Sequence, residues 1–476
     1  MTLPHIPVLR RGQVYESLEK VEIKSVRTGE SVVEISHANA GIIRRDMRRI
    51  GDARAALRKF SCAELVAIAK KAGEHFLHST LPLGDQTQSP QDYIEQLSAT
   101  SGLPHILIRR NMGKIYQVFT EMETILRGLT RGLDLTVIDR GSGEQQGVPV
   151  SYYAATEALG VVLPSNSPGV NSLWMPALVM KIPVVLKPGR EEPWTPFRII
   201  QSFIAAGCPA DAFSFYPTDH EGSGAVMDTC GRALIFGDEA TVQRYAGNPG
   251  VSVHGPGRSK VLIGNDEAEN WPQYVDLIAQ SIAENGGRSC VNASCVITPR
   301  HADALADALA RRLAEIRPVP ATDESAQLAG FANPKMAQFI DQAITQGLQT
   351  AGAEDITAEY RTDPRIQELD GSTYLLPTIV RCNNFSHPLA NREFLFPYAS
   401  VLEIPQDKML EQIGPSLVVT GITHDPGFSD ALVGSPNIDR LNLGPLPTTR
   451  VQWDQPHEGN LFEFLYRRRA IQRAGN

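Results

Sequence analysis

At 476 residues, with 42% hydrophobic and 21% charged side chains, the chain is long enough for two or three packed domains and too apolar for a disordered segment. Lys+Arg 45 against Asp+Glu 53 leaves a formal charge of −8, which argues against a general nucleic-acid or anionic-membrane binder. Six dispersed cysteines, without a CxxC pair or His-rich spacing, predict neither a disulfide framework nor a metal site and fit a reducing cytoplasm. The N-terminus lacks a basic stretch followed by an apolar core, and the longest apolar run, Leu173 to Leu186, is broken by Pro176, Lys181 and Pro183, so neither an export signal nor a membrane span is expected.

In chain order, residues 1–55 read as short strands with hairpin-like turns at Gly12-Gln-Val-Tyr15 and Thr28-Gly-Glu-Ser31, packing on a sheet edge. The basic cluster Arg44, Arg45, Arg48 and Arg49 reads as a solvated helix face, with a site for a phosphorylated ligand as the alternative. Helical periodicity follows, in Cys62 to Lys70 and Ile115 to Leu129, before a candidate strand at Leu133 to Asp139 and a polar turn at Gly141 to Gly147.

From Glu157 to Val253 the rhythm is βαβα. Apolar runs at Leu159–Leu163, Pro183–Leu186, Ala212–Tyr216, Ala233–Phe236 and Val251–Val253 alternate with helical segments at Thr195–Ala206 and Glu239–Ala246. A parallel, doubly wound sheet requires this alternation, because each crossover helix must return the chain to the same end of the sheet. A nucleotide-binding domain is therefore expected, although no GxGxxG follows the first strand.

The stretch Glu284-Asn-Gly-Gly-Arg-Ser-Cys290-Val-Asn-Ala-Ser-Cys295 runs off a periodic helix into a Gly pair, a lone thiol and a strand. Backbone N–H groups and cationic neighbours lower a thiol's pKa, and Gly286, Gly287 and Arg288 are placed to supply them, so Cys290 reads as a nucleophile. Cys295 reads as packing.

Four further segments accompany it: Pro164-Ser-Asn166-Ser-Pro168-Gly169, Lys187-Pro188-Gly189, Gly371 to Thr378, and Glu393-Phe-Leu-Phe-Pro397. With the Cys290 stretch, these resemble the motifs of the aldehyde dehydrogenase superfamily over roughly residues 150–450. The resemblance implies an α/β fold with an NAD(P)-binding domain at 1–252, a catalytic domain at 253–447, and an oligomerisation arm from 131–152 and 448–476. It also implies a homodimer or homotetramer. Cys290 would carry the substrate as a thiohemiacetal and then a thioester, and Asn166 would donate to the developing oxyanion. Pro164 and Gly237 would border the cofactor, Lys187 would touch the adenosine ribose, and Glu393 would hold the nicotinamide ribose.

Three departures refine the expectation. His254 in Val253-His-Gly-Pro-Gly-Arg-Ser259 stands where hydrolytic members carry the Glu that activates water. The segment looks more like that of CoA-acylating members and acyl-CoA reductases, so interconversion of an aldehyde and an acyl-CoA is the favoured expectation, with hydrolysis to the acid as the alternative. His254 is a competent base for either acceptor. Arg190 replaces the Glu that prefers NAD, which favours NADP over NAD because a guanidinium pairs with a 2′-phosphate. Asp238 and Glu239 follow Gly237, suiting a helix N-terminus as caps but repelling a phosphate there. Trp174, Phe394, Phe396, Tyr398 and the Phe462 to Tyr466 stretch are the aromatics expected near the acyl group, if they are not simply core.

Overall fold

Two seven-stranded sheets carry the molecule. The computed structural model describes residues 3–472 and 474. The first two residues of the scanned N-terminus, and residues 473, 475 and 476 of the expected arm, lie outside the described residues. The first sheet runs, edge to edge, through Val251–His254, Arg232–Phe236, Leu159–Val162, Val184–Lys187, Phe213–Phe215, Val8–Arg10 and Gln13–Tyr15. Its first five strands are parallel, and the N-terminal hairpin joins antiparallel through Val8–Arg10. The chain returns from Phe213–Phe215 to the far side of Leu159–Val162, so strand order reverses beside that strand, where open α/β sheets bind ligands at their carboxyl ends.

The second sheet runs through Ala353–Asp355, Thr378–Cys382, Tyr398–Glu403, Ala293–Thr298, Ser259–Ile263, Ser416–Ile422 and Ile438–Leu443, with only Ala353–Asp355 antiparallel. Its central strands Ala293–Thr298 and Ser416–Ile422 are buried throughout, as strands covered on both faces must be. The first sheet extends to His254, so the expected division at 252/253 falls inside its last strand.

The helices follow from local signals. Cys62–His78 starts at a capping box between Ser61 and Glu64, and buries Cys62, Leu65, Val66, Ala69, Ala72, Gly73 and Phe76 at helical spacing. The Arg-rich helix Ala40–Met47 turns Arg44 and Arg45 to solvent, the solvated face expected of them. Leu133 to Asp139 is a correction: it holds a short helix, Thr136–Arg140, rather than a strand. Asp134 accepts from the Thr136 N–H at 2.9 Å, Gly141 ends the turn at φ 75°, and Asp139 is bound to Lys181 and the Cys62 N–H. Tertiary anchoring of Asp139 outweighs the short apolar alternation.

The segments expected to form an arm meet in one antiparallel sheet, in which Val148–Ala154 pairs with both Ser142–Gln145 and Tyr466–Arg469. Among the described residues, no helix is long and apolar enough to cross a membrane.

Candidate active site

Cys290 lies between helix Val275–Ala283 and strand Ala293–Thr298. The helix ends in three successive left-handed residues, Asn285, Gly286 and Gly287, at φ 56°, 68° and 68°. Asn tolerates that region and Gly enters it freely. Gly287 has a second reason, since a Cβ there would sit 2.3 Å from the Phe396 carbonyl carbon. On the other side Gly257 passes Cys290 so closely that its Cβ would be 2.0 Å from the Cys290 carbonyl oxygen. Ser259 Oγ donates to that same oxygen at 2.8 Å.

The loop is stapled to the Pro164 to Gly169 turn of the first sheet. Asn285 Nδ2 donates to Ser167 Oγ at 3.2 Å and its Oδ1 accepts from Asn111 at 2.7 Å, while Asn166 Nδ2 donates to the Arg288 carbonyl at 2.8 Å. One amide N–H of Asn166 is thereby used, and its second remains for an oxyanion.

Cys290, Asn166 and His254 line one cavity of about 510 Å³, so the structure brings the three expected catalytic residues together. Burial pushes the Cys290 thiol well above its usual range, and Glu458 and Glu393 add to the shift; its own backbone N–H and Arg440 oppose it. The cation near the thiol is therefore Arg440. Arg288, expected in that role, is turned away: it donates to the carbonyls of Ser101 and Gly330 and stacks over Phe331. Its buried side chain completes helix and loop ends, where unpaired carbonyls are costly.

His254 is 6% exposed and stacks on Phe236 at 4.7 Å. Its Nδ1 lies 2.5 Å from Glu458 Oε2. A carboxylate only accepts, so Nδ1 carries a proton toward Glu458, and Nε2, 3.4 Å from Ser252 Oγ, is the ring nitrogen left to serve as a base. Glu458 was not visible as a partner in the sequence, nor were Arg440, on Ile438–Leu443, and His457, which accepts from Arg440 at 2.8 Å. The available signals were weak: an Arg inside an apolar strand, and a His-Glu pair in a polar segment.

The expected cofactor residues gather at the strand ends. Lys187 closes Val184–Lys187, and burial lowers its pKa. The following Gly189 has no room for a Cβ, which would meet the Pro164 carbonyl oxygen at 2.5 Å. Arg190 is exposed beside them. Gly237 is different. Its N–H donates to the His254 carbonyl at 3.1 Å, and Asp238 caps the next helix by accepting from the Thr241 N–H at 3.0 Å. These two N–H groups are thereby committed, and the Asp238 carboxylate stands where a phosphate would approach. Glu393 accepts from the Arg258 N–H at 2.6 Å, and burial raises its pKa to about 7.

For most of the aromatics the core reading holds. Trp174 is fully buried with its indole N–H on Asn171, and Phe394, Phe396 and Tyr398 pack on one another in the second core. Phe236, Trp453 and Phe464 are the rings that line the cavity. Cys295 is fully buried, as expected of packing.

The family described as "Aldehyde dehydrogenase family" matches residues 15–412 of this chain. The N-succinylglutamate 5-semialdehyde dehydrogenase of Vibrio cholerae is 25% identical over 315 residues, 61% of this chain and 63% of that protein. The chain thus matches less than two thirds of that relative's length. The aminoacetaldehyde dehydrogenase of Pseudomonas aeruginosa is 27% identical over 212 residues, covering 40% and 41%. Among solved structures, the aldehyde dehydrogenase KauB of Pseudomonas aeruginosa superposes with a TM-score of 0.80 at 14% identity, covering 99% of this chain and 97% of that one. The NAD+ complex of an aldehyde dehydrogenase from Bacillus cereus gives 0.76 at 14%, covering 98% and 96%. At such identity the superpositions establish the fold.

Proposed function

The chain belongs to the aldehyde dehydrogenase family, and from that premise we propose that it oxidises an aldehyde to its carboxylic acid with NAD(P), through a covalent adduct on Cys290. The observation that carries this reading is the convergence of Cys290, Asn166 and His254 on one cavity from three separate stretches of sequence.

At rest the half-buried nucleophile is a thiol, so its proton must leave as sulfur attacks. His254, held by Glu458, is the base that lines the cavity. The carbon–sulfur bond forms, and the free N–H of Asn166 meets the oxyanion; one such donor is worth about 3–4 kcal/mol of barrier. The nicotinamide cofactor, when bound, supplies the hydride acceptor that turns the thiohemiacetal into a thioester. His254 sheds its first proton to solvent and takes the next from water, whose oxygen attacks the thioester; the carbon–sulfur bond then breaks, the departing sulfur recovers the proton held by His254, and the acid leaves.

For the cofactor, Lys187, Arg190 and Pro164 form a fitting strand-end cradle, with Gly189 letting the backbone come close. Arg190 makes no ion pair among the described residues and is the group that favours NADP, with NAD the alternative. At the helix after Gly237 the Asp238 carboxylate stands over the first turn, where it would repel a phosphate. Glu393 is the proposed partner of the nicotinamide ribose.

A second reading keeps CoA as the acyl acceptor. It is favoured by His254 standing in place of a carboxylate, since an imidazole can deprotonate a thiol as well as water. The named relatives lend it no support. The sheet joining Ser142–Gln145, Val148–Ala154 and Tyr466–Arg469 leaves Val148 and Tyr153 exposed and is the proposed contact of a homodimer or homotetramer.

The test is reduced-cofactor formation at constant pH from a panel of aldehydes, with NADP+ or NAD+, with and without CoA, for the wild type and Cys290→Ala. Free acid without CoA supports hydrolysis. An absolute requirement for CoA with acyl-CoA as product overturns it in favour of the second reading, and full activity in Cys290→Ala overturns both.

A further inference from the structure

Arg440 lines the cavity that holds Cys290, and both its hydrogen-bond partners are uncharged. Nη1 donates to His457 Nδ1 at 2.8 Å and Nη2 to the Arg450 carbonyl at 3.0 Å. His457 is a neutral acceptor, because burial, Arg440 and His254 hold it down to about 3. A guanidinium has five N–H donors, so three remain uncommitted.

The other charged side chains of the wall each have a close polar partner. Lys114 pairs with Glu284 at 2.7 Å, Glu458 with His254 at 2.5 Å, and Glu463 with Arg131 at 2.5 Å. Among the described residues lining the cavity, Arg440 is the one cation with no carboxylate in ion-pair contact. The remaining wall is largely apolar, including Phe236, Leu234, Val118 and Trp453. A cation held between two neutral acceptors in such surroundings is stabilised most by an anion that arrives with the ligand. Glu458 and Glu393 act on the same thiol, so an entering anion needs a counter-charge there, and a single guanidinium matches a monoanion better than a dianionic phosphate.

Resting on the reading of this site as aldehyde-oxidising, we propose that Arg440 pairs with a carboxylate on the substrate, which makes the substrate class a semialdehyde of a dicarboxylic acid. Arg440 is then a specificity-determining residue, fixed by His457 and the Arg450 carbonyl.

The experiment compares kcat/KM for succinic and glutaric semialdehydes with butanal and pentanal, using the full chain as wild type, Arg440→Lys and Arg440→Met. The wild type is expected to prefer the charged aldehydes by about 10- to 100-fold, the range of a hydrogen bond to a charged group. The Met variant loses that preference and the Lys variant keeps part of it. The ratio is taken within one variant, so effects on folding or on the thiol cancel. A wild-type ratio near one, or an unchanged ratio in Arg440→Met, overturns the inference and leaves aldehyde oxidation standing. Failure to oxidise any of the four overturns the underlying reading instead. Calorimetry with glutarate then decides the anion subsite alone: binding by the wild type and loss in Arg440→Met upholds it, and no binding to the wild type overturns it.

Discussion

Gly257→Ala places a methyl group against the nucleophile loop, and the cost can be worked from the backbone. The added Cβ would lie 2.0 Å from the Cys290 carbonyl oxygen, 2.8 Å from its carbon and 3.1 Å from the Cys290 Cβ. An ordinary carbon–oxygen contact is about 3.3 Å, so one strand must retreat by about 1 Å. The Cys290 carbonyl cannot swing aside cheaply, because Ser259 Oγ holds it at 2.8 Å and Gly287 is packed against Phe396. Overpacking of this kind costs about 1–3 kcal/mol of stability, and a displacement of about 1 Å at a reacting atom costs on the order of 100-fold in rate. Gly224→Ala is the control: this glycine sits in helix His220–Thr229 with nothing within 4 Å of its Cβ position. It should gain about 0.5–1 kcal/mol of stability with activity unchanged. Thermal melts, kcat/KM and the rate of Cys290 alkylation are measured on both. Wild-type kcat/KM and alkylation in Gly257→Ala would show that the loop is not clamped as described, and the argument for a positioned thiol would fail.

Other substitutions probe the remaining roles. His254→Gln should lower kcat by about 10²- to 10⁴-fold, the usual contribution of a general base, and a loss below about threefold in steady-state assays would remove His254 from the mechanism. Asn166→Ala should cost about 10²- to 10³-fold in kcat with little change in KM, and a change confined to KM argues against an oxyanion role. Glu393 has its pKa raised by burial from the ordinary 4.5 to about 7, so the folded state binds the extra proton; its contribution to stability is present below about 4.5 and lost as pH rises through about 7. Glu393→Gln should therefore melt progressively higher than the wild type as pH rises across that window, by up to about 3 kcal/mol, and a difference independent of pH would contradict the assignment. Arg190→Ala should raise the KM for NADP+ about tenfold and leave that for NAD+ unchanged, as read from initial rates; equal effects on both would detach Arg190 from the 2′-phosphate.

Much of the first sheet was legible because parallel strands buried on both faces are continuous apolar runs, and the runs at Leu159, Pro183, Ala212, Ala233 and Val251 all became strands. The Leu133 to Asp139 stretch misled because a few alternating apolar residues fit a strand and a short buried helix equally, and the choice lay with Lys181 and Cys62, far along the chain. Arg288 misled in a similar way: its nearness in sequence to Cys290 says nothing of where a long side chain turns, and the carbonyls of Ser101 and Gly330 claimed it.

The sequence by itself determined the Cys290 loop, the turn bearing Asn166 and the lysine strand end, because each is a local motif in which backbone conformation and residue type are set within a few positions. Only the tertiary structure decided what surrounds them. The contacts of His254 with Glu458 and of Arg440 with His457 join residues as many as 204 positions apart. A charge's partner and a cavity's wall are properties of packing, and no local pattern of residues encodes them.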